Sequence, residues 1–215
     1  GTPAGAPAGR PTRSPSPRSR ELAAMAAMVA IALQPIGAVD GGLIEYLGEV
    51  IGSVFGDVEV RPAVEVPADS RVPERGQLEG SSLLKALSAA GLEEGDAVLG
   101  VIDEDIFVAD TNFIFGLAYG CLAIISLTRL RQEFYGLSSN SALFLERAKK
   151  EAVHELGHVF GLPHCPNRRC VMHFSNSIDE TDFKGWRFCG RCRKILEDSG
   201  RSTSQSSTSA PGCWP

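Results

Sequence analysis

The sequence predicts an α/β (α+β) fold, helices packed on a sheet, and three observations carry that prediction. Gly41–Phe55 sets Leu43, Ile44, Leu47, Val50, Ile51, Val54 and Phe55 at helical spacing, so one helix face packs on a sheet. Ala97–Ile102 reads as a buried strand, and Ile106–Phe115 and Leu117–Leu127 read as two more, separated by Gly116 and with Gly120 inside the second. Helix formation resumes near Ser141, where Leu145, Ala148, Ala152, Leu156 and Val159 form a core stripe while His154 and His158 occupy a different face.

Local chemistry accounts for the other segments. Gly1–Arg20 carries Arg10, Arg13, Arg18 and Arg20 among mostly Gly, Pro, Ala, Ser and Thr, without an acid, a composition that cannot form a core. Leu22–Leu33 is an apolar run behind arginines, with the outline of a short signal peptide but too short for a membrane span of ~20 residues. A buried first strand at Val29–Leu33, ended by Pro35 and Gly37, is the preferred reading. Asp57–Val64 alternates like a strand, and Pro67–Gly80 is polar and loop-like. Ser81 or Ser82 opens a helix through Ala90 that Gly91 closes. Asp103-Glu104-Asp105 reads as a solvated turn in preference to a calcium or catalytic cluster, and Cys121 as a small buried apolar residue. Arg129–Asn140 and Asn176–Lys184 are polar connections, and Lys184, Arg187, Arg191, Arg193 and Lys194 form a solvated basic face. Beyond Arg201 the Ser/Thr-rich tail is expected to be disordered, with no evident partner for Cys213.

Without its polar ends the chain keeps roughly 170 residues, enough for one core. The formal charge of −5 hides an asymmetry: Asp40–Asp110 holds sixteen acidic and four basic side chains, Arg129–Arg201 thirteen basic and nine acidic. A solvated acidic surface is the preferred explanation, with a bias toward cationic peptides as the alternative.

The chemistry concentrates between His154 and Cys170. On a helix, His154 and His158 lie four apart and can offer two imidazoles to one ion, with Glu155 beside them. Gly161 ends the helix and turns the chain back, so that His164 returns as a third nitrogen ligand. Three neutral imidazoles leave zinc its full charge and one open position, which lowers the pKa of a bound water from about 15.7 to about 7. Glu155 is then the natural proton acceptor. The chain has four histidines, and the fourth, His173, is read as packing. Gly157 inside this helix costs about 1 kcal/mol relative to alanine, tolerated for a close approach to a strand or metal.

Cys165, Cys170, Cys189 and Cys192 form Cys-x4-Cys followed by Cys-x2-Cys. Four thiolates fill the coordination of one zinc and quench its Lewis acidity, so this second site is structural. A pair of disulfides is the lesser reading, because Cys-x2-Cys is a metal-clip spacing and no convincing export signal is present. A cysteine cage next to His164 would hold that ligand in place.

His154, Glu155, His158, Gly161, His164, Cys165, Cys170, Met172, Cys189 and Cys192 together resemble the archaemetzincins, a branch of the metzincin clan of zinc peptidases. From about Val29 onward the resemblance is less specific, through Gln34-Pro35-Ile36-Gly37 and Phe113–Gly116. The spacing between Met172 and Cys189 is slightly shorter than the family's, which is read as a loop deletion. The resemblance implies a metzincin-like zincin fold: a mixed twisted sheet, an active-site helix and a C-terminal four-cysteine zinc knuckle. It implies that Met172 forms the Met-turn beneath the catalytic metal, and that Leu117–Ser126 contains the edge strand to which substrate adds.

The expected organisation is a disordered extension over 1–24, a catalytic domain over 25–200 and a disordered tail over 201–215. The domain divides into an N-terminal subdomain, 25–161, and a C-terminal one, 162–200. The expected activity is that of a cytoplasmic, monomeric zinc metallopeptidase with two zinc ions per chain. It acts on a peptide or protein substrate, away from membranes, with Glu155 as general base. The alternative is a non-proteolytic zinc module that contacts RNA or protein through its basic knuckle.

Overall fold

The computed structural model describes residues 31–89 and 96–202. The expected extension at 1–24, the strand start at Val29, the helix end at Ala90 and Gly91, and the tail with Cys213 lie outside them. In chain order the elements are β1 (Ile31–Ile36), α1 (Gly41–Phe55), β2 (Val58–Val60), β3 (Arg71–Val72), β4 (Gln77–Glu79), α2 (Gly80–Ala89), β5 (Ala97–Ile102), β6 (Ile106–Phe107), β7 (Gly116–Tyr119), β8 (Leu122–Ser126), α3 (Ser141–Val159), α4 (Ile178–Phe183) and α5 (Gly190–Ser202).

Five strands make a mixed sheet in the order β2-β1-β5-β8-β7, parallel except for β7, which runs antiparallel to β8 along one edge. Side chains of the central strands alternate between two cores, as the period of two requires. Ile31, Leu33, Leu99, Val101, Ala123 and Ile125 pack with α1 and α3 on one face. Ala32, Ile36, Val98, Ile102 and Ile124 pack with α2 on the other. Asp40 caps α1 by accepting from the Leu43 N–H at 2.8 Å, and Asn140 caps α3 by accepting from Leu143 at 3.0 Å. No described helix is long and apolar enough to cross a membrane.

Several segments differ from expectation. β1 runs through Pro35, because proline lacks only a donor and its carbonyl still accepts from the Val64 N–H at 3.0 Å. The alternating stretch from Asp57 yields only β2 and a single bridge from Val64 to Ile36. Pro67–Gly80 is not a bare loop: β3 and β4 join β6 in a small second sheet, held by Arg75, which donates to the Thr111 and Asn112 carbonyls at 2.9 and 3.0 Å. Ile106–Phe115 shortens to β6 plus one bridge from Ile106 to Ile114. Leu117–Leu127 is a hairpin, with Gly120-Cys121 as the turn between β7 and β8. Cys121 is half-buried against the α2-side core.

The acidic run after β5 is neither freely solvated nor a cation site. Asp103 pairs with Arg131 at 2.5 and 2.8 Å, Glu104 with Arg71 at 2.7 and 2.8 Å, and Asp105 with Arg129 at 2.7 Å. Likewise Asn176–Lys184 contains α4, whose Thr181 and Asp182 side chains turn inward onto α3. Arg147 grips Asp182 at 2.6 and 2.7 Å, and Lys150 donates to the Thr181 and Asp182 carbonyls, each at 3.0 Å. Lys184 leaves the predicted basic face altogether: it is 2% exposed and pairs with buried Glu151 at 3.0 Å.

Removing one member of a buried ion pair strands the other charge, at a cost of about 3–5 kcal/mol, whereas replacing both by apolar groups is far milder. Lys184→Ala should therefore lose that much stability in urea denaturation, and Lys184→Met with Glu151→Leu should lose much less.

Candidate active site

α3 presents His154, Glu155 and His158 together, and Gly161, at φ 82°, reverses the chain behind it. The reversal is locked by Gly161 and Leu162 N–H groups donating to the His158 and Gly157 carbonyls at 2.9 Å, which brings His164 back to the helix. The Nε2 atoms of His154 and His164 each lie 3.2 Å from that of His158.

The ring protons are already committed. His154 Nδ1 donates to the Val171 carbonyl at 2.8 Å and His158 Nδ1 to that of Leu162 at 2.8 Å, which leaves Nε2 bare in each neutral ring. Burial lowers the pKa of all three imidazoles, reinforced by the Lys184 ammonium for His154 and by His158 for His164, so neutral rings are favoured. Bare lone pairs at that separation repel unless a cation lies between them. Tetrahedral zinc with nitrogen ligands at about 2.0–2.1 Å has nitrogen–nitrogen edges of about 3.3–3.4 Å, so the donor set fits. Exposure rises from buried His154 through half-buried His158 to exposed His164, whose ring lies 4.9 Å from that of half-exposed Phe174.

Cys165, Cys170, Cys189 and Cys192 form the second cluster, all four free thiols with sulfurs within 4.8 Å of one another. Cys165 and Cys189 Sγ are 3.8 Å apart, which matches the edge of about 3.8 Å for zinc–sulfur bonds of about 2.3 Å. The Cys192 N–H, in the first turn of α5, lowers the Cys189 thiol to about 7, while burial raises Cys170 and Cys192.

Met172 joins the two clusters. It is fully buried, and its Sδ fills the space where a side chain at Gly157 would begin, with Met172 Cε and Phe188 Cε1 at 3.1 and 3.3 Å from that position. The close approach that tolerates glycine in α3 is thus to this methionine, not to a strand or metal. The Met172 carbonyl accepts from Cys165 N–H at 2.8 Å, and His173 Nδ1 donates to the Cys165 carbonyl at 3.0 Å, outside the imidazole cluster.

Glu155 is 5% exposed, and burial, then the charge of Glu151, pushes its carboxyl well above the ordinary carboxylate range against the pull of Lys184. Two contributors here escape sequence reasoning. Lys184 sits in a polar stretch that resembles surface, and Gly116, legible as a strand break and as the end of the Phe113–Gly116 run, gives no sign in the sequence that it lies against Glu155.

Peptidase family M54 matches residues 91–198 of the chain. The archaemetzincin of Methanocaldococcus jannaschii is 45% identical over 178 residues, which cover 82% of this chain and 97% of the relative. The chain belongs to the archaemetzincins. The archaemetzincin of Pyrococcus furiosus is also 45% identical, over 80% of this chain and 94% of its own. Among solved structures, the archaemetzincin of Methanopyrus kandleri aligns with a TM-score of 0.72 at 34% identity, covering 82% of this chain and 97% of that one. A zinc-dependent peptidase from Methanocorpusculum labreanum aligns at 0.71 and 31% identity, covering 77% and 99%. The family makes the protein a zinc metallopeptidase that acts on peptides.

Alanine at an ordinary helix position would gain about 1 kcal/mol over glycine, but overpacking costs about 1–3 kcal/mol. Gly157→Ala should therefore lower the denaturation midpoint, and should cost less when Met172→Ala is already present.

Proposed function

We propose that His154, His158 and His164 hold a catalytic zinc, that Glu155 is the general base of peptide hydrolysis, and that the four cysteines hold a second, structural zinc. The reading rests above all on the Nε2 atoms of His154 and His164, each 3.2 Å from that of His158, with the ring protons of His154 and His158 committed to backbone carbonyls. Zinc, when bound, supplies Lewis acidity and lowers the pKa of water to about 7.

The chain's own groups do the rest. Glu155 adjoins the cluster in a buried site that raises its proton affinity, so its carboxylate can take a proton from water and return it to the departing amine. The edge strand supports binding of an extended peptide. Ser126 N–H donates to the Phe115 carbonyl at 2.8 Å, and antiparallel alternation from that pair turns the peptide groups of Gly116 and Ala118 away from β8, toward the open edge. A substrate backbone can pair there as an added strand beside Glu155. Phe174, half-exposed against His164, gives the opposite side an apolar surface. The cysteine cage fixes Cys165 and through it the adjacent His164.

Glu155→Ala should keep wild-type zinc content and lose about 10²–10⁴-fold in hydrolysis of a library-selected peptide; undiminished turnover would refute the base. Elemental analysis should find two zinc ions per chain in the wild type. Cys189→Ser should lose more than one of them, and loss of one alone would show that the cage does not support His164.

A further inference from the structure

We infer that Gly116 is a positioning residue for Glu155: the side chain that position 116 lacks is the space in which the carboxylate lies. The inference rests on the assignment of Glu155 as general base. A Cβ built at Gly116 would fall 2.5 Å from Glu155 Oε1, 2.6 Å from Cγ and 2.8 Å from Cδ. Three atoms along the carboxylate arm are involved, so the arm lies flat across the Gly116 Cα, and a small rotation of its tip would not make room.

Nothing else about this position calls for glycine. Gly116 is not among the glycines with a left-handed backbone, and it sits in β7 in register with Ile125, where glycine weakens a strand. The arm has no good alternative place. Toward the start of α3 stands Glu151, whose Oε1 is occupied by the Lys184 ammonium at 3.0 Å and the Thr181 hydroxyl at 3.3 Å, so displacement that way crowds two carboxylates. His154 and His158 flank it along the helix, and it is 5% exposed.

Gly116 also turns its own peptide groups to the open edge of β7. The residue that would pair with an incoming backbone is thus the one that seats the base, which sets the separation between carboxylate and substrate. Gly116→Ala leaves that N–H and C=O in place and moves the carboxylate, so kcat should fall about 100-fold while KM changes little, the penalty of about 1 Å misplacement. Zinc content should not change.

A double-mutant cycle separates positioning from damage to the strand. In the Glu155→Ala background the arm ends at Cβ and all three contacts are gone, so Gly116→Ala should cost much less stability there than it does beside glutamate. An equal loss in both backgrounds would overturn the inference. The metal-free proteins give a readout independent of turnover: denaturation midpoints of Gly116→Ala, Glu155→Ala and the double variant should be non-additive, and additivity would count as disproof. Should Gly116→Ala fail to fold, the double variant, freed of the arm, should fold, and its failure too would sink the idea. If Glu155→Ala keeps its activity, the base assignment falls; if it is inactive while Gly116→Ala turns over normally, only the positioning role falls.

Discussion

The absence of a side chain at position 157 is the constraint on which both clusters depend. Met172 Sδ fills that space, and its close packing against α3 sets the height of the turn that carries it. At that height the Val171 carbonyl meets His154 Nδ1 at 2.8 Å and the Met172 carbonyl meets Cys165 N–H at 2.8 Å. One packing contact therefore fixes an imidazole tautomer on one side and the first residue of the cysteine cluster on the other. Neither hydrogen bond involves a side chain of the turn, which explains how a methionine with no donor or strong acceptor can organise polar groups around it.

α3 reads as an amphipathic helix but is buried from Arg147 through Gly157 on every side. Burial of so many charges is tolerable because all but Glu155 have a partner nearby. Arg147 has Asp182, Lys150 has two carbonyls, Glu151 has Lys184, and Lys149 has Glu146 and the Trp186 ring, 4.8 Å away. α4 and Lys184, which follows it directly, supply most of them. This short helix, held by polar contacts and not by an apolar stripe, closes over a surface that the hydrophobic pattern would leave to solvent.

What was legible in the sequence was local. α1 spans Gly41–Phe55 and β5 spans Ala97–Ile102 as the periodicity indicates, α3 starts at Ser141, and the histidine and cysteine spacings bring together the residues they suggest. The failures lie where the decisive partner is distant in the chain. Glu151 and Lys184 are 33 positions apart, and Gly116 and Glu155 39 apart, so neither leaves a periodic trace. Gly120 looks like a flaw in one long strand because two strands of a tight hairpin, read without their pairing, form a single apolar run.

The three carboxylates that follow β5 are each taken by an arginine from elsewhere: Arg131, Arg71 and Arg129. They lace one end of the main sheet to the small sheet and to the turns before α3. Hydration of charged groups becomes less favourable on heating, so this lacing holds better in hot solvent than in cold, opposite to the trend of most weak contacts. Dissolved salt loosens it unevenly: Arg71–Glu104, the most exposed pair, weakens first, while Arg129–Asp105, sheltered by the rings of Phe113 and Phe134, persists.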